Sequence, residues 1–329
     1  SSENHKATSE KLTQKITMQF TSLEICAGAG GQALGLERAG FSHAALIEIE
    51  SPACQTLRLN RPNWNIIEGD VRLVRGNEYK GIDLLAGGVP CPPFSKAGKQ
   101  LGKDDERDLF PEAIRLAKET DPKAIMLENV RGLLDPKFED YRNHITEQFA
   151  KLGYIGQWKL LYAADYGVSQ LRPRVLFVAL KNEYADFFKW PEPTIKQPQT
   201  VGELLFDLMS ENNWQGAHDW RLKADQIAPT LVGGSKKHGG ADLGPTRSKR
   251  AWAELGVDGS GLWNSAPPED FSGMPRLTAR MTARIQGFPD DWQFFGKKTP
   301  MYRQIGNAFP PPVAEAVGRQ IIKALKKEN

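Results

Sequence analysis

One cysteine stands among prolines in Gly87-Gly88-Val89-Pro90-Cys91-Pro92-Pro93-Phe94-Ser95, at the end of an apolar run that includes Ile82, Leu84, Leu85 and Ala86. A second apolar run, Ala124 to Leu127, ends on Glu128-Asn129-Val130. A thiol and a carboxyl delivered by two buried-strand patterns suit covalent chemistry on an electrophilic substrate, with the thiolate attacking and the acid assisting. Prolines fix φ and discourage helix, so Pro90 and Pro92 favour a rigid exposed turn for Cys91 over a packed core. Cys26 and Cys54 read as small core residues. A free thiol with a pKa near ~8.5 is only a few per cent thiolate at pH 7, so neighbouring cations or a helix N-terminus must help. Arg172 and Arg174, in Gln170-x-Arg172-x-Arg174, are the candidate cations.

A second constellation lies near the start of the chain. The run Phe20 to Ile25 reads as a buried strand, followed by a tight turn through Cys26, Ala27, Gly28, Ala29, Gly30 and Gly31 and then a helix. This is an abbreviated dinucleotide fingerprint, in which glycine lets backbone approach a ligand at a helix N-terminus. Glu48, twenty residues after Gly28, ends the next strand pattern and can accept hydrogen bonds from both hydroxyls of a ribose. Asp70 follows Ile66-Ile67-Glu68-Gly69 at a third strand end, where it could hold an adenine amino group. Turn and acid together predict a nucleoside-bearing cofactor; they do not separate a nicotinamide dinucleotide from S-adenosylmethionine.

Strand-like runs at Phe20–Ile25, Ala44–Ile49, Ile82–Ala86, Ala124–Leu127, Ile155–Tyr162 and Val175–Leu180 alternate with helical patterns, notably Leu109–Glu119 and Tyr141–Leu152. Such alternation predicts an α/β fold, a mainly parallel sheet of Rossmann type with helices on both faces. Sites then form at the carboxyl edge of the strands, where Cys91, Glu128, Glu48 and Asp70 all fall. Residues 1–17 are polar and aperiodic and are expected to be a flexible tail. A catalytic and cofactor-binding domain is expected over 18–190. From about Trp190 prolines and glycines interrupt the chain, which predicts a small loop-rich domain over 191–276. Order returns over 277–329, with a C-terminal helix from Val313 to Leu325.

The 329 residues exceed the length at which single cores usually divide. Hydrophobic content of 40% and charged content of 25% are ordinary for a globular chain. No apolar run approaches a membrane span, and three scattered cysteines make neither a disulfide framework nor a zinc site. A reducing cytoplasmic setting and no metal are therefore expected. The net charge of +3 permits a nucleic-acid partner without requiring one.

Pro90-Cys91-x-x-Phe94-Ser95, Glu128-Asn129-Val130, Gln170-x-Arg172-x-Arg174, Tyr302-x-Gln304-Ile305-Gly306-Asn307-Ala308-x-Pro310-Pro311 and the glycine turn occur in an order and spacing that resembles the DNA (cytosine-5)-methyltransferase family. The resemblance runs from about Phe20 to Ile322, outside the variable second domain. It implies that Cys91 attacks C6 of a flipped-out cytosine, that Glu128, protonated, binds its N3 and N4 edge, and that Arg174 meets O2, with Arg172 also catalytic. It implies S-adenosylmethionine as methyl donor, held by Cys26, Ala27, Gly28, Ala29, Gly30, Gly31, Glu48, Ile49, Asp70, Val71, Pro90, Leu109, Asn307 and Ala308. Two positions depart from the family: Pro92 stands where a glutamine is frequent, and Cys26 where phenylalanine is usual.

A duplex DNA partner follows. Ser95, Lys96, Lys99 and Gln100 are expected on a loop that closes over the DNA backbone. In the second domain, Thr230 and Leu231 look like that family's short recognition signature, and Lys236, Lys237, Arg247, Lys249 and Arg250 form a basic cluster for phosphates and guanine edges. The compact length resembles bacterial modification enzymes, implying a cognate restriction endonuclease without a stable complex, a monomer, and a nucleoid-associated bacterial setting. A tRNA cytosine-5 methyltransferase is the runner-up, although no cysteine follows Cys91 in the recognition region. A catalytically silent DNA-binding protein and a nicotinamide-dependent oxidoreductase are further alternatives. Intact Cys91, Glu128 and Arg174 oppose the first of these and are unexplained by the second.

Overall fold

The structure is a computed structural model that describes residues 19–90, 107–194, 196–233 and 240–329. Seven strands form one sheet: β1 (Phe20–Ile25), β2 (Phe41–Glu48), β3 (Ile66–Glu68), β4 (Leu84–Gly88), β5 (Ala124–Val130), β6 (Tyr154–Tyr162) and β7 (Pro173–Lys181). Their spatial order is β3-β2-β1-β4-β5-β7-β6. The first five pair in parallel, and β7 inserts antiparallel between β5 and β6. The order reverses between β1 and β4, a crevice-forming switch point at the carboxyl edge. Because β7 runs the other way, its amino end lies at that same edge, with Arg174 opposite Val130. The expected parallel sheet is thus correct for five strands. Periodicity carries no strand direction, so the reversal was not legible.

Helices α1 (Gly31–Ala39), α2 (Ser51–Asn60), α3 (Phe110–Thr120), α4 (Glu139–Lys151) and α5 (Asn182–Ala185) accompany the strands. Alternation along β1 sends Leu23 and Ile25 to one face, where Leu85, Ile125 and Phe177 meet Leu116 and Phe149 of α3 and α4. Phe20, Leu84, Met126 and Val178 on the other face pack against a C-terminal helix. The other helices among the described residues are α6 (Val201–Met209), α7 (Ala217–Lys223), α8 (Thr246–Glu254), α9 (Ala279–Ile285), α10 (Lys298–Gly306) and α11 (Pro311–Leu325), the last being that C-terminal helix. The segment expected to be loop-rich therefore holds three helices of seven to nine residues, too short to impose a visible period. They close around Trp214, Trp220 and Trp252, joined by Leu277, Met281 and Tyr302 from beyond Arg276.

Two polar residues of β1, Ser22 and Glu24, are completely buried. Ser22 pairs with His43 Nδ1 at 2.8 Å, and Glu24 Oε1 accepts from Gln32 Nε2 at 3.2 Å. Glu24 Oε2 and Gln32 Oε1 have no partner among the described residues. A proton on Glu24 would let the acid donate to that amide oxygen, and burial raises its pKa from the ordinary 4.5 to about 8. Across that window the folded chain keeps a proton that the unfolded chain has released, so stability is full below pH 4.5 and declines as pH rises towards 8. Glu24→Gln removes this dependence. Thermal melts are expected to shift in the variant's favour by roughly 2–4 kcal/mol between pH 5 and pH 8; a constant difference over that range would contradict a neutral Glu24.

Candidate active site

The strand ends at the switch point enclose a cavity of about 650 Å³, a size suited to a nucleoside-bearing ligand. The turn after β1 forms one wall. Cys26, Gly28 and Gly30 have φ of 51°, 60° and 102°, a left-handed path that glycine takes without cost and Cys26 takes with strain. Glu48 at the end of β2 locks this path, since its Oε1 accepts from Gly28 N at 2.8 Å and its Oε2 from Glu50 N at 2.7 Å. Burial holds the Glu48 carboxyl above its ordinary value, against the pull of these two N–H groups. Ile49 N–H also bonds this carboxylate, and a carboxylate with about four lone-pair sites keeps capacity for a hydroxyl donor.

Ile49 next to it is 62% exposed, an apolar surface at the cavity that the described residues leave open. Asp70 lines the same wall, where its Oδ1 caps a helical turn at Arg72 N (2.9 Å) and its Oδ2 pairs with Arg72 (3.2 Å). Val71, Pro90, Leu109, Asn307 and Ala308 also line the cavity. A carboxylate for a ribose, an aliphatic face and an acid beyond it suit an adenosyl group.

The opposite wall carries the acid of β5. Glu128 Oε1 lies 3.1 Å from Arg174 Nε, with both side chains about one-seventh exposed. Burial raises the Glu128 pKa, opposed by the charges of Arg174 and then Arg172. Gly88 makes room for it: a Cβ there would stand 3.0 Å from Glu128 Oε2. Asn129 Nδ2 donates to Val89 O at 2.6 Å, tying the end of β5 to the end of β4. Leu109 N donates to Pro90 O at 3.1 Å, so the chain leaves β4 and returns to α3 at one point beside Glu128. Cys91, Ser95, Lys96, Lys99 and Gln100 fall between those anchors and lie outside the described residues, as do Lys236 and Lys237. Of the other two thiols, Cys54 is buried as expected, whereas Cys26 faces the cavity instead of the core. Burial and nearby carboxylates push both up to about 12, so neither is a nucleophile at neutral pH.

Two residues sit elsewhere than expected. Arg172 is fully buried and does not line the cavity. It precedes Pro173 with φ 30°, outside the extended backbone usual before proline, and this breaks the alternation that would have aligned it with Arg174. Its Nη1 donates to Gln170 Oε1 (3.3 Å) and Leu231 O (2.8 Å), its Nη2 to Gly306 O (2.8 Å) and Ala308 O (3.0 Å). Expected at the substrate, its side chain instead points away from the cavity into the protein. Leu231, expected at DNA, is 1% exposed in the core of the second hydrophobic unit, with its N–H taken by Gln170 Oε1 at 2.8 Å. Thr230 is half-buried, Arg247 and Arg250 are exposed on α8, and Lys249 pairs with Asp242 at 3.4 Å.

Sequence reasoning missed Trp292, whose Nε1 donates to Ala29 O at 3.0 Å and whose ring backs the glycine turn. It also missed Thr56, which donates to Gln304 Oε1 and braces α2 against α10. Both contacts span more than 240 residues of chain and leave no local pattern.

Comparison with known proteins agrees with this geometry. A model of C-5 cytosine-specific DNA methylases matches residues 20–323. The chain is 82% identical over 315 residues to the Type II methyltransferase M.NgoMIV of Neisseria gonorrhoeae, covering 95% of this chain and 100% of that protein. It is 58% identical over 313 residues to M.NaeI of Lentzea aerocolonigenes, covering 93% and 76%. Among solved structures, a prophage-encoded E. coli protein described as a DNA modification methyltransferase superposes with a TM-score of 0.67 at 25% identity, covering 94% of this chain and 100% of that one. With a cavity at the strand ends beside a buried Glu128–Arg174 pair, and a family match over nearly its whole length, the chain belongs to the C-5 cytosine-specific DNA methylases and methylates cytosine at C5.

Proposed function

We propose that Cys91, Glu128 and Arg174 carry the reaction, on a cytosine flipped out of duplex DNA into the cavity beside the end of β5. The observation that carries this reading is the buried Glu128–Arg174 pair, which sets a carboxyl of raised pKa and a guanidinium side by side next to Pro90. In this scheme the Cys91 thiolate adds to C6, and electrons move onto the N3–C2–O2 system. Glu128 gives N3 its proton and Arg174 hydrogen-bonds O2. C5 becomes nucleophilic and takes the methyl group, leaving S-adenosylhomocysteine; a base then removes the C5 proton, and expulsion of the Cys91 thiolate restores the C5–C6 double bond as the N3 proton returns to Glu128. S-adenosylmethionine supplies an electrophilic methyl group when bound. Glu48 would hold its ribose, Ile49 and Val71 its adenine face, Asp70 the adenine edge, and Asn307 and Ala308 the opposite side of the cavity.

Residues 191–276 are proposed to recognise the target sequence, with Arg247 and Arg250 on phosphates. The enzyme is proposed to act as a monomer beside a bacterial restriction endonuclease of the same specificity, without a stable complex, a reading supported by its similarity to Type II methyltransferases. Among the described residues no helix is long and apolar enough to cross a membrane.

Transfer of labelled methyl to unmethylated duplex DNA and, in parallel, to unmodified tRNA tests the substrate. Label in DNA that saturates and protects a subset of restriction sites is expected; label in tRNA alone would replace this reading. Glu48→Gln is expected to weaken S-adenosylhomocysteine binding about 10–100-fold by loss of charge-assisted hydrogen bonds. Unchanged affinity by isothermal titration would remove Glu48 from the cofactor site.

A further inference from the structure

Arg172 is a fully buried cation whose four hydrogen bonds reach three separate segments, and none of the acceptors is a carboxylate. Through Nη1 it holds Leu231 O, in the segment leading into the proposed recognition residues. Through Nη2 it holds Gly306 O and Ala308 O, the carbonyls on either side of Asn307. Those two segments also touch directly. A Cβ on Gly306 would stand 2.5 Å from Gly233 Cα, and a Cβ on Gly233 would stand 2.3 Å from Asn307 Oδ1. Gln170 reinforces the junction, accepting from Leu231 N at 2.8 Å and donating to Gln286 at 2.7 Å, which in turn donates to Ile305 O at 2.8 Å.

We infer that Arg172 and the Gly233–Gly306 contact couple the recognition segment to the cofactor-binding turn, so that DNA and S-adenosylmethionine each strengthen binding of the other. The rigid guanidinium fork fixes the spacing between Leu231 and the 306–308 turn, and charge-assisted bonds to carbonyls make that spacing stiff. With glycine on both sides, no side chain cushions the contact, and a shift of Gly233 is delivered to the Asn307 amide. Arg172 also lies two residues before Arg174, so the same shift reaches the Glu128 pair. Arg172 is a positioning residue in this scheme, acting through Asn307 and Arg174. The inference rests on Asn307 being a cofactor contact and on 191–276 meeting DNA.

Coupling of this kind is reciprocal: the factor by which DNA tightens the cofactor must equal the factor by which the cofactor tightens DNA. The test uses the full chain, S-adenosylhomocysteine, and an unmethylated duplex fragment that wild type labels. Dissociation constants of each are measured in the absence and presence of saturating amounts of the other. Wild type is expected to show the same factor in both directions, about tenfold. Arg172→Lys, which keeps the charge and loses the fork, and Gly233→Ala, which wedges the contact, are each expected to bring it within about twofold of unity. Glu48→Gln is expected to weaken S-adenosylhomocysteine equally with and without DNA and to keep the wild-type factor. A purely structural role for Arg172 would lower melting temperature and both affinities but leave the factor intact. A wild-type factor of one, or a wild-type factor retained in both variants, would overturn the inference. If Arg172→Lys does not fold, Gly233→Ala decides alone. Unchanged cofactor affinity in Glu48→Gln would instead fault the assignment of the cavity.

Discussion

Cys91→Ala is expected to lower single-turnover methyl transfer by roughly 10⁴-fold or more while leaving DNA affinity within about twofold of wild type. The size follows from what the cysteine does. Cytosine C5 is a poor nucleophile until a group adds to C6, and no other described side chain can take that role. Cys26 and Cys54 are held as neutral thiols by burial and by neighbouring carboxylates, and Cys54 Sγ is further engaged with Glu48 O at 3.3 Å. Binding should survive because the proposed phosphate contacts, Arg247 and Arg250, are exposed on α8, a different element from the segment that carries Cys91. Labelled transfer and fluorescence anisotropy on the same preparation separate the two effects. Turnover within tenfold of wild type would rule out covalent activation by Cys91.

Glu128→Gln is expected to slow the chemical step by about 10²–10⁴-fold. Glutamine keeps the volume left open by Gly88 and can still donate a hydrogen bond to N3, but it cannot transfer a proton there. The pH dependence adds a second signature. Burial raises the Glu128 pKa despite Arg174 and Arg172, so the protonated acid persists above the ordinary carboxyl range and is lost as pH rises through its folded value. The wild-type rate should therefore fall on the alkaline side, while formation of the Cys91 thiolate produces the rise on the acid side. In Glu128→Gln the alkaline fall should vanish and the acid-side rise remain. A variant that keeps the wild-type pH profile, or that reacts at near-wild-type single-turnover rates, would refute Glu128 as the proton donor.

The parts of this site that are contiguous in sequence were legible because their physics is local. An apolar run ending in a glycine turn, and acids ending the next runs, placed Cys26 to Gly31, Glu48, Asp70 and Glu128 at the edge of a sheet, and all but Gly30, which backs onto Trp292, line the cavity. Pro90 and Leu109 follow for the same reason, flanking the segment that carries Cys91. What failed was orientation. Alternate spacing of Gln170, Arg172 and Arg174 suggests one shared face, yet only Arg174 belongs to a regular strand that faces Glu128. The left-handed backbone at Arg172 redirects its side chain into the protein, and nothing in the residue type signals it. Leu231 differs similarly: a hydrophobic residue in a recognition signature suits contact surface and core alike, and here it is core. Trp292 and Thr56 depend on contacts made by distant parts of the chain, which no window of sequence can show.

The most direct test is to replace the departing C5 proton with fluorine. In duplex DNA synthesised with 5-fluorocytosine, addition of Cys91 and methylation can proceed, but the ring cannot lose fluorine to the base, so Cys91 cannot be expelled. Incubation with S-adenosylmethionine should give a protein–DNA species that survives denaturation, and its digested peptide should carry the methylated base on Cys91. Methylation of ordinary DNA by an enzyme that forms no such species, or a base attached to any residue other than Cys91, would contradict the mechanism.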